Sequence, residues 1–86
     1  MGVNMDHRRE YDLKVIGANL RRMRKAKGFS IRYVAQYLMY STVQAVYRIE
    51  RGVGYPHPDT LLALMELYDA GVADLVDEPN SDDNGE

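Results

Sequence analysis

Apolar residues along the 86-residue chain recur at helical spacing, and no stretch alternates as a strand would. Leu13, Ile16, Leu20 and Met23 stand at i, i+3, i+7 and i+10, which predicts a first helix over 12–27 with Asp12 as its cap. Gly28 follows in a position suited to a left-handed ending, and Lys25 and Lys27 suit the carboxyl end of the helix dipole. Ser30 opens a second, two-turn helix whose apolar face is Ile31, Val34, Ala35 and Leu38. Ser41-Thr42-Val43-Gln44 reads as a capping box that starts a third helix, running to Arg51 with Gly52 just past its end. Ala45, Val46 and Ile49 form its buried side, and only Met39 to Ser41 remain for the turn between helices two and three. Two short helices joined by so tight a turn make a helix-turn-helix unit.

Val53 to His57 form a loop, and Pro58 and Asp59 suit the start of a fourth helix. Its stripe is Leu61, Leu64, Met65 and Tyr68, widened by Leu62 and Leu67. Asp69-Ala70-Gly71 breaks it, and a last turn over 72–76 is expected to dock Val72, Leu75 and Val76 as a lid. Residues 77–86 offer five acids and no apolar anchor, the composition of a disordered acidic tail. The chain is therefore read as a mobile arm (1–11), one all-α domain (12–76) and that tail (77–86). Residues 1–10 carry charge without an apolar run, so no signal peptide is expected, and no membrane span. The absence of cysteine excludes disulfides and zinc–thiolate sites, and suits a cytoplasmic location.

Charge changes the picture. The formal net charge is −2, but all eleven Lys and Arg lie within residues 1–51. That stretch holds four acids and so carries +7, whereas residues 52–86 hold nine acids and no Lys or Arg, for −9. Such asymmetry points to a nucleic-acid partner that the whole-chain balance conceals. With Val46 and Ile49 buried, the outward face of the third helix is Gln44, Tyr47, Arg48 and Arg51, with Val43 beside it at the start. Gln pairs with adenine N6/N7, Arg with guanine O6/N7, and Val can touch a thymine methyl, so Val43, Gln44 and Arg48 are candidate base readers. Ser30, Thr42, Tyr47 and Arg51 are candidate contacts to the DNA backbone, and for Ser30 plain capping is an equal alternative.

Glu50 is the lone acid between Asp12 and Asp59, set among cations that DNA would need. An internal partner is expected for it, and Arg24 on the first helix is the best placed. The two histidines, His7 and His57, fall in the arm and the loop, and the chain has no phosphate loop, nucleophile–base pair or metal-ligand spacing. An enzyme is not expected, nor a metal or cofactor.

The segments IGANLRRMRKAKGFS, VAQYL and QAVYRIERG, with the run from Pro56 to Leu75, resemble the Xre/Cro, phage-repressor-like helix-turn-helix family. The resemblance covers about 60 of the 86 residues. It implies a compact five-helix, lambda-repressor-like domain with the helix-turn-helix at helices two and three. It also implies sequence-specific binding of double-stranded DNA by a transcriptional regulator of repressor type, with helix three in the major groove, frequent homodimers and palindromic operators. The family's base-reading positions map onto Val43, Gln44 and Arg48, its phosphate positions onto Ser30 and Ile31, and its internal bridge onto Arg24 and Glu50. Two departures stand out. Met39 occupies the turn position where the family usually has a left-handed Gly, and the segment from Ala35 to Glu50 is one residue longer, as in a sub-group carrying a QAVY-like helix three. The extra residue leaves two registers for the start of helix three, one position apart. The rival reading is an antitoxin-like or accessory protein-interaction module, for which Tyr33 and Tyr37, at i and i+4 on the polar side of helix two, would be the contact patch together with Tyr40. Edge packing of the core explains the same tyrosines equally well.

Overall fold

A computed structural model describes residues 10–79, and among these the chain forms five helices: α1 (Leu13–Ala26), α2 (Ile31–Tyr37), α3 (Gln44–Glu50), α4 (Pro58–Tyr68) and α5 (Val72–Val76). Most of the arm and of the acidic tail lies outside the described residues. The caps act as the side chains dictate. Asp12 accepts from the Lys14 amide at 2.9 Å, and Ser30 Oγ accepts from the Tyr33 amide at 3.0 Å. Gly28 turns left-handed at φ 78°, which brings its neighbour's amide back so that Phe29 N donates to the Arg24 carbonyl. At the end of α4 it is Asp69, not a glycine, that takes the left-handed cap, with φ 55°.

The third helix starts later than its capping-box pattern predicts. Ser41 to Val43 remain in the turn, and Val43 fills the cap position with helical dihedrals and no side-chain cap of its own. The Thr42 hydroxyl instead accepts from the Gln44 amide at 3.3 Å, two residues on. A Ser/Thr hydroxyl satisfied locally in this way competes with the longer capping interaction. The longer turn is closed by Met39, which adopts the left-handed conformation at φ 64° with its side chain 89% exposed.

Ile16, Leu20, Val34, Ala35, Val46, Leu64, Tyr68 and Leu75 form the core. α1 packs against α3, α4 and α5, and α2 packs against α3. Two features seat α1. Gly17 faces the last turn of α3, where backbone carbonyls leave no room for a Cβ. Asn19, fully buried, donates through Nδ2 to the carbonyls of Leu75 and Asp77, each at 2.8 Å, while its Oδ1 accepts from Arg22. These bonds tie the carboxyl end of α5 to α1. In α5 only Leu75 is fully buried. Val76 is half-buried, and Val72, expected to dock, lies 62% exposed because it sits on the helix's first residue, at the rim of the core.

Candidate nucleic-acid interface

The geometry of the α2–α3 unit rests on one ion pair. Arg24 Nε donates to Glu50 Oε2 at 2.7 Å and Arg24 Nη2 to Oε1 at 3.1 Å, a two-pronged contact between α1 and the last residue of α3. Arg24 Nη1 also donates to the Phe29 carbonyl at 3.0 Å, so the same guanidinium holds the loop leading into α2. Both side chains are buried. Hydrogen bonding to Glu50 raises the Arg24 pKa further above its already high ordinary value, against the opposing effect of burial. A planar fork matched to a carboxylate fixes direction as well as distance. The bridge therefore sets the angle at which α3 leaves the core.

Tyr68 lies beside this pair. Its ring stacks on Phe29 with centroids 6.3 Å apart, and Phe29 in turn meets Tyr33 at 4.9 Å. Burial, and then the nearby Glu50 charge, push the Tyr68 phenol well above its ordinary pKa. Tyr40 is half-buried and its hydroxyl meets that of Thr60 at 3.0 Å, fastening the turn to α4.

With α3 anchored through Val46 and Glu50, its opposite face carries Gln44, Tyr47, Arg48 and Arg51, all exposed and side by side. Val43 departs from this group: it is half-buried and packs against the core, so less of its methyl surface is free. Ser30 and Thr42 are exposed at the starts of α2 and of the turn into α3. Ile31 is half-buried against the core. Gly17, Asn19 and the Tyr40–Thr60 contact were not singled out by the sequence pattern. For Asn19 the available signal was an amide in the middle of an apolar helix stripe, between Ile16 and Leu20.

An open groove runs along α4, bordered by Leu62, Ala63 and Met65 with Asp59, Glu66 and Asp69 around them. Among the described residues no cluster of three His, Cys, Asp or Glu could hold a metal ion, and no helix is long and apolar enough to cross a membrane.

Residues 15–78 match a family described as a helix-turn-helix domain. The fold is similar to the restriction-modification controller protein C.AhdI from Aeromonas hydrophila, with 30% sequence identity, a TM-score of 0.65, and 74% of this chain and 96% of that one covered. It is also similar to the clp gene regulator ClgR from C. glutamicum, at 25% identity and a TM-score of 0.66 over 79% of this chain and 86% of that one. The DNA-binding domain of BldD matches at 27% identity and a TM-score of 0.63, covering 76% and 93% of the two chains. No curated protein sequence gives a significant match.

Proposed function

Since the chain belongs to the helix-turn-helix family, of the Xre/Cro-like type whose members are DNA-binding transcriptional regulators, we propose that it is a repressor that lays α3 in the major groove of a two-fold operator. The observation that carries this is the exposed quartet Gln44, Tyr47, Arg48 and Arg51 on a helix whose direction a buried ion pair fixes. Gln44 and Arg48 read base edges, with adenine and guanine as the matching partners, and Val43 contributes an apolar contact at the margin. Ser30, Thr42, Tyr47 and Arg51 hold the sugar-phosphate backbone and set the register. The Ser30 Oγ accepts within its cap, which leaves its hydroxyl proton to donate outward. A controller protein, a gene regulator and a DNA-binding domain among the structural neighbours support this reading. It places the protein in the cytoplasm, with the DNA.

A single module covers only roughly 600–1,000 Å² of its surface on DNA, at the low end for specific complexes. The repressor therefore acts as a homodimer, with α3 helices about 34 Å apart on one face of the duplex. The pairing surface is helix four and the final turn, where the sequence offers Leu62, Leu67, Val72, Leu75 and Val76; Leu75 belongs to the core of the monomer and Leu67 and Val76 are half-buried, which leaves Leu62, 60% exposed, and Val72 as the open apolar side chains. A two-fold pairing there brings Asp59, Glu66 and Asp69 toward their copies, with no Lys or Arg in this half of the chain to offset them.

Selection of bound sites from random DNA tests the proposal. A palindromic consensus is expected, and Gln44→Ala or Arg48→Ala should cost ~1–3 kcal/mol on it while relaxing preference at one position. Recovery of no consensus, or equal losses on all sequences, would remove base reading. Sedimentation across a salt series tests the dimer: salt should tighten pairing by screening the acids, while it weakens DNA binding.

A further inference from the structure

α1 carries five Lys and Arg and no acid. Arg24 is buried against Glu50, whereas Lys14, Arg21, Arg22 and Lys25 are exposed. Lys14, Arg21 and Lys25 stand at i, i+7 and i+11, so they share one outward stripe, with the exposed Ala18 between them. Arg22 lies a step round the helix, toward Asn19. Arg21 and Lys25, at i and i+4, repel each other, a cost that an anion laid over the stripe offsets.

The chain brings its own anion to this helix. Asn19 Nδ2 donates to the carbonyls of Leu75 and Asp77, which pins the exit from α5 to α1. Asp74, Asp77, Glu78 and Pro79 then share a groove with Arg22 and Met23. Residues 80–86, outside the described residues, follow directly and carry Asp82, Asp83 and Glu86 without any Lys or Arg. A segment of that length spans up to about 23–25 Å, while Lys14 and Arg22 are only about 12 Å apart along the helix axis. Every cation of the stripe is within reach.

We infer that residues 80–86 lie back across the outward face of α1, their carboxylates pairing with Lys14, Arg21, Arg22 and Lys25. Tethering makes the pairing effective. A segment on so short a linker meets the stripe at a concentration on the order of mM, which populates exposed ion pairs too weak to join separate molecules. A duplex drawn to the stripe by its phosphates has to displace this cover. On the proposed DNA reading, the tail thus holds down affinity for arbitrary duplex and leaves the base readers of α3 open.

The chain has no cysteine, so Gly85→Cys carries a single nitroxide spin label well beyond the pinned exit. In the isotope-labelled 86-residue chain at low salt, the label should broaden the amide signals along the exposed side of α1 and leave α4 sharp. The broadening should fade in 1 M salt, where the screening length is about 3 Å. It should fade equally when the labelled chain also carries Asp82→Asn, Asp83→Asn and Glu86→Gln. Broadening that survives both changes would mean that the tether alone brings the label close, and would overturn the charge pairing. Broadening centred on Gln44, Arg48 and Arg51 would overturn the assignment to α1. A mixture of spin-labelled chains with separate isotope-labelled ones should show none, and broadening there would overturn the intramolecular contact in favour of a second copy. For the consequence, the triple variant without label should bind scrambled duplex several-fold more tightly than the unaltered chain, with a steeper salt slope. Equal affinities would overturn the competition with DNA while the contact stands on the spin-label result. If neither protein binds DNA, the proposed function falls, and the spin label still decides whether the tail covers α1.

Discussion

Gly17 and Glu50 meet backbone to backbone: a Cβ on Gly17 would stand 2.5 Å from the Glu50 carbonyl oxygen and 2.6 Å from that of Ile49. α1 thus crosses the end of α3 at a distance that only a glycine permits. In an isolated helix Gly→Ala gains ~1 kcal/mol. Here the neighbours are backbone atoms of Ile49 and Glu50, which cannot rotate away, so overpacking of ~1–3 kcal/mol or more opposes that gain. Gly17→Ala should lower the melting temperature and shift α3. A rise in melting temperature would show that the two helices can separate without loss.

Replacing Glu50 with Ala leaves Arg24 charged and buried with, among the described residues, only the Phe29 carbonyl as hydrogen-bond partner. The expected loss is ~3–5 kcal/mol, against ~0–1 kcal/mol for a surface pair. The double substitution Arg24→Met, Glu50→Leu should recover much of that stability, since no charge is then stranded. It should not recover operator affinity in proportion, because the direction of α3 is no longer set by the fork. Chemical denaturation and operator binding of both variants separate the two effects, and full DNA binding by the stable double variant would deny the bridge its aligning role.

Much of this was legible in the sequence. The stripes Leu13-Ile16-Leu20 and Leu61-Leu64-Tyr68 located α1 and α4, because burial against one core imposes the helical period directly on residue type. The pairing of Arg24 with Glu50 could be read because an acid isolated among cations needs an internal partner. What escaped has a physical reason in each case. The capping-box pattern Ser41 to Gln44 starts α3 two residues early, because the Gln44 amide that Ser41 would cap is taken by the nearer Thr42 hydroxyl. Spacing from Leu75 and Val76 turns Val72 inward, but period alone cannot tell where a five-residue helix runs off the edge of the core. Gly17 stands outside the apolar stripe and carries no signal in the pattern, since its meaning lies in a contact 33 residues away.

Met39 holds a left-handed conformation, φ 64°, with its side chain in solvent. For a residue with a Cβ that conformation costs roughly 1–2 kcal/mol. Glycine removes the strain but adds unfolded-state entropy of about 0.4–1 kcal/mol. The first term is the larger, and almost no packing is lost with the exposed methionine. Met39→Gly should therefore stabilise the fold by a few tenths of a kcal/mol to about 1 kcal/mol without altering which sequence α3 reads. A destabilised Met39→Gly would mean that the methionine side chain does more than occupy the turn.

Tyr68 makes stability depend on alkaline pH. Its phenol is buried beneath Phe29 and near Glu50, and both burial and that charge favour the protonated form in the folded state; Arg24 opposes them without prevailing. The unfolded chain releases the same proton near its ordinary value of about 10. Below that pH the phenol is protonated in both states, and its contribution to stability is fully present. As pH rises past about 10 the unfolded state binds fewer protons than the folded one, so stability falls, by up to ~1.4 kcal/mol per pH unit for this group until the folded value is reached. Tyr68→Phe keeps the ring and removes the proton. The variant should lose less stability than the wild type between about pH 8 and about pH 11, measured by urea unfolding at each pH. Parallel losses in the two proteins would show that the Tyr68 phenol reaches solvent and ionises as freely folded as unfolded.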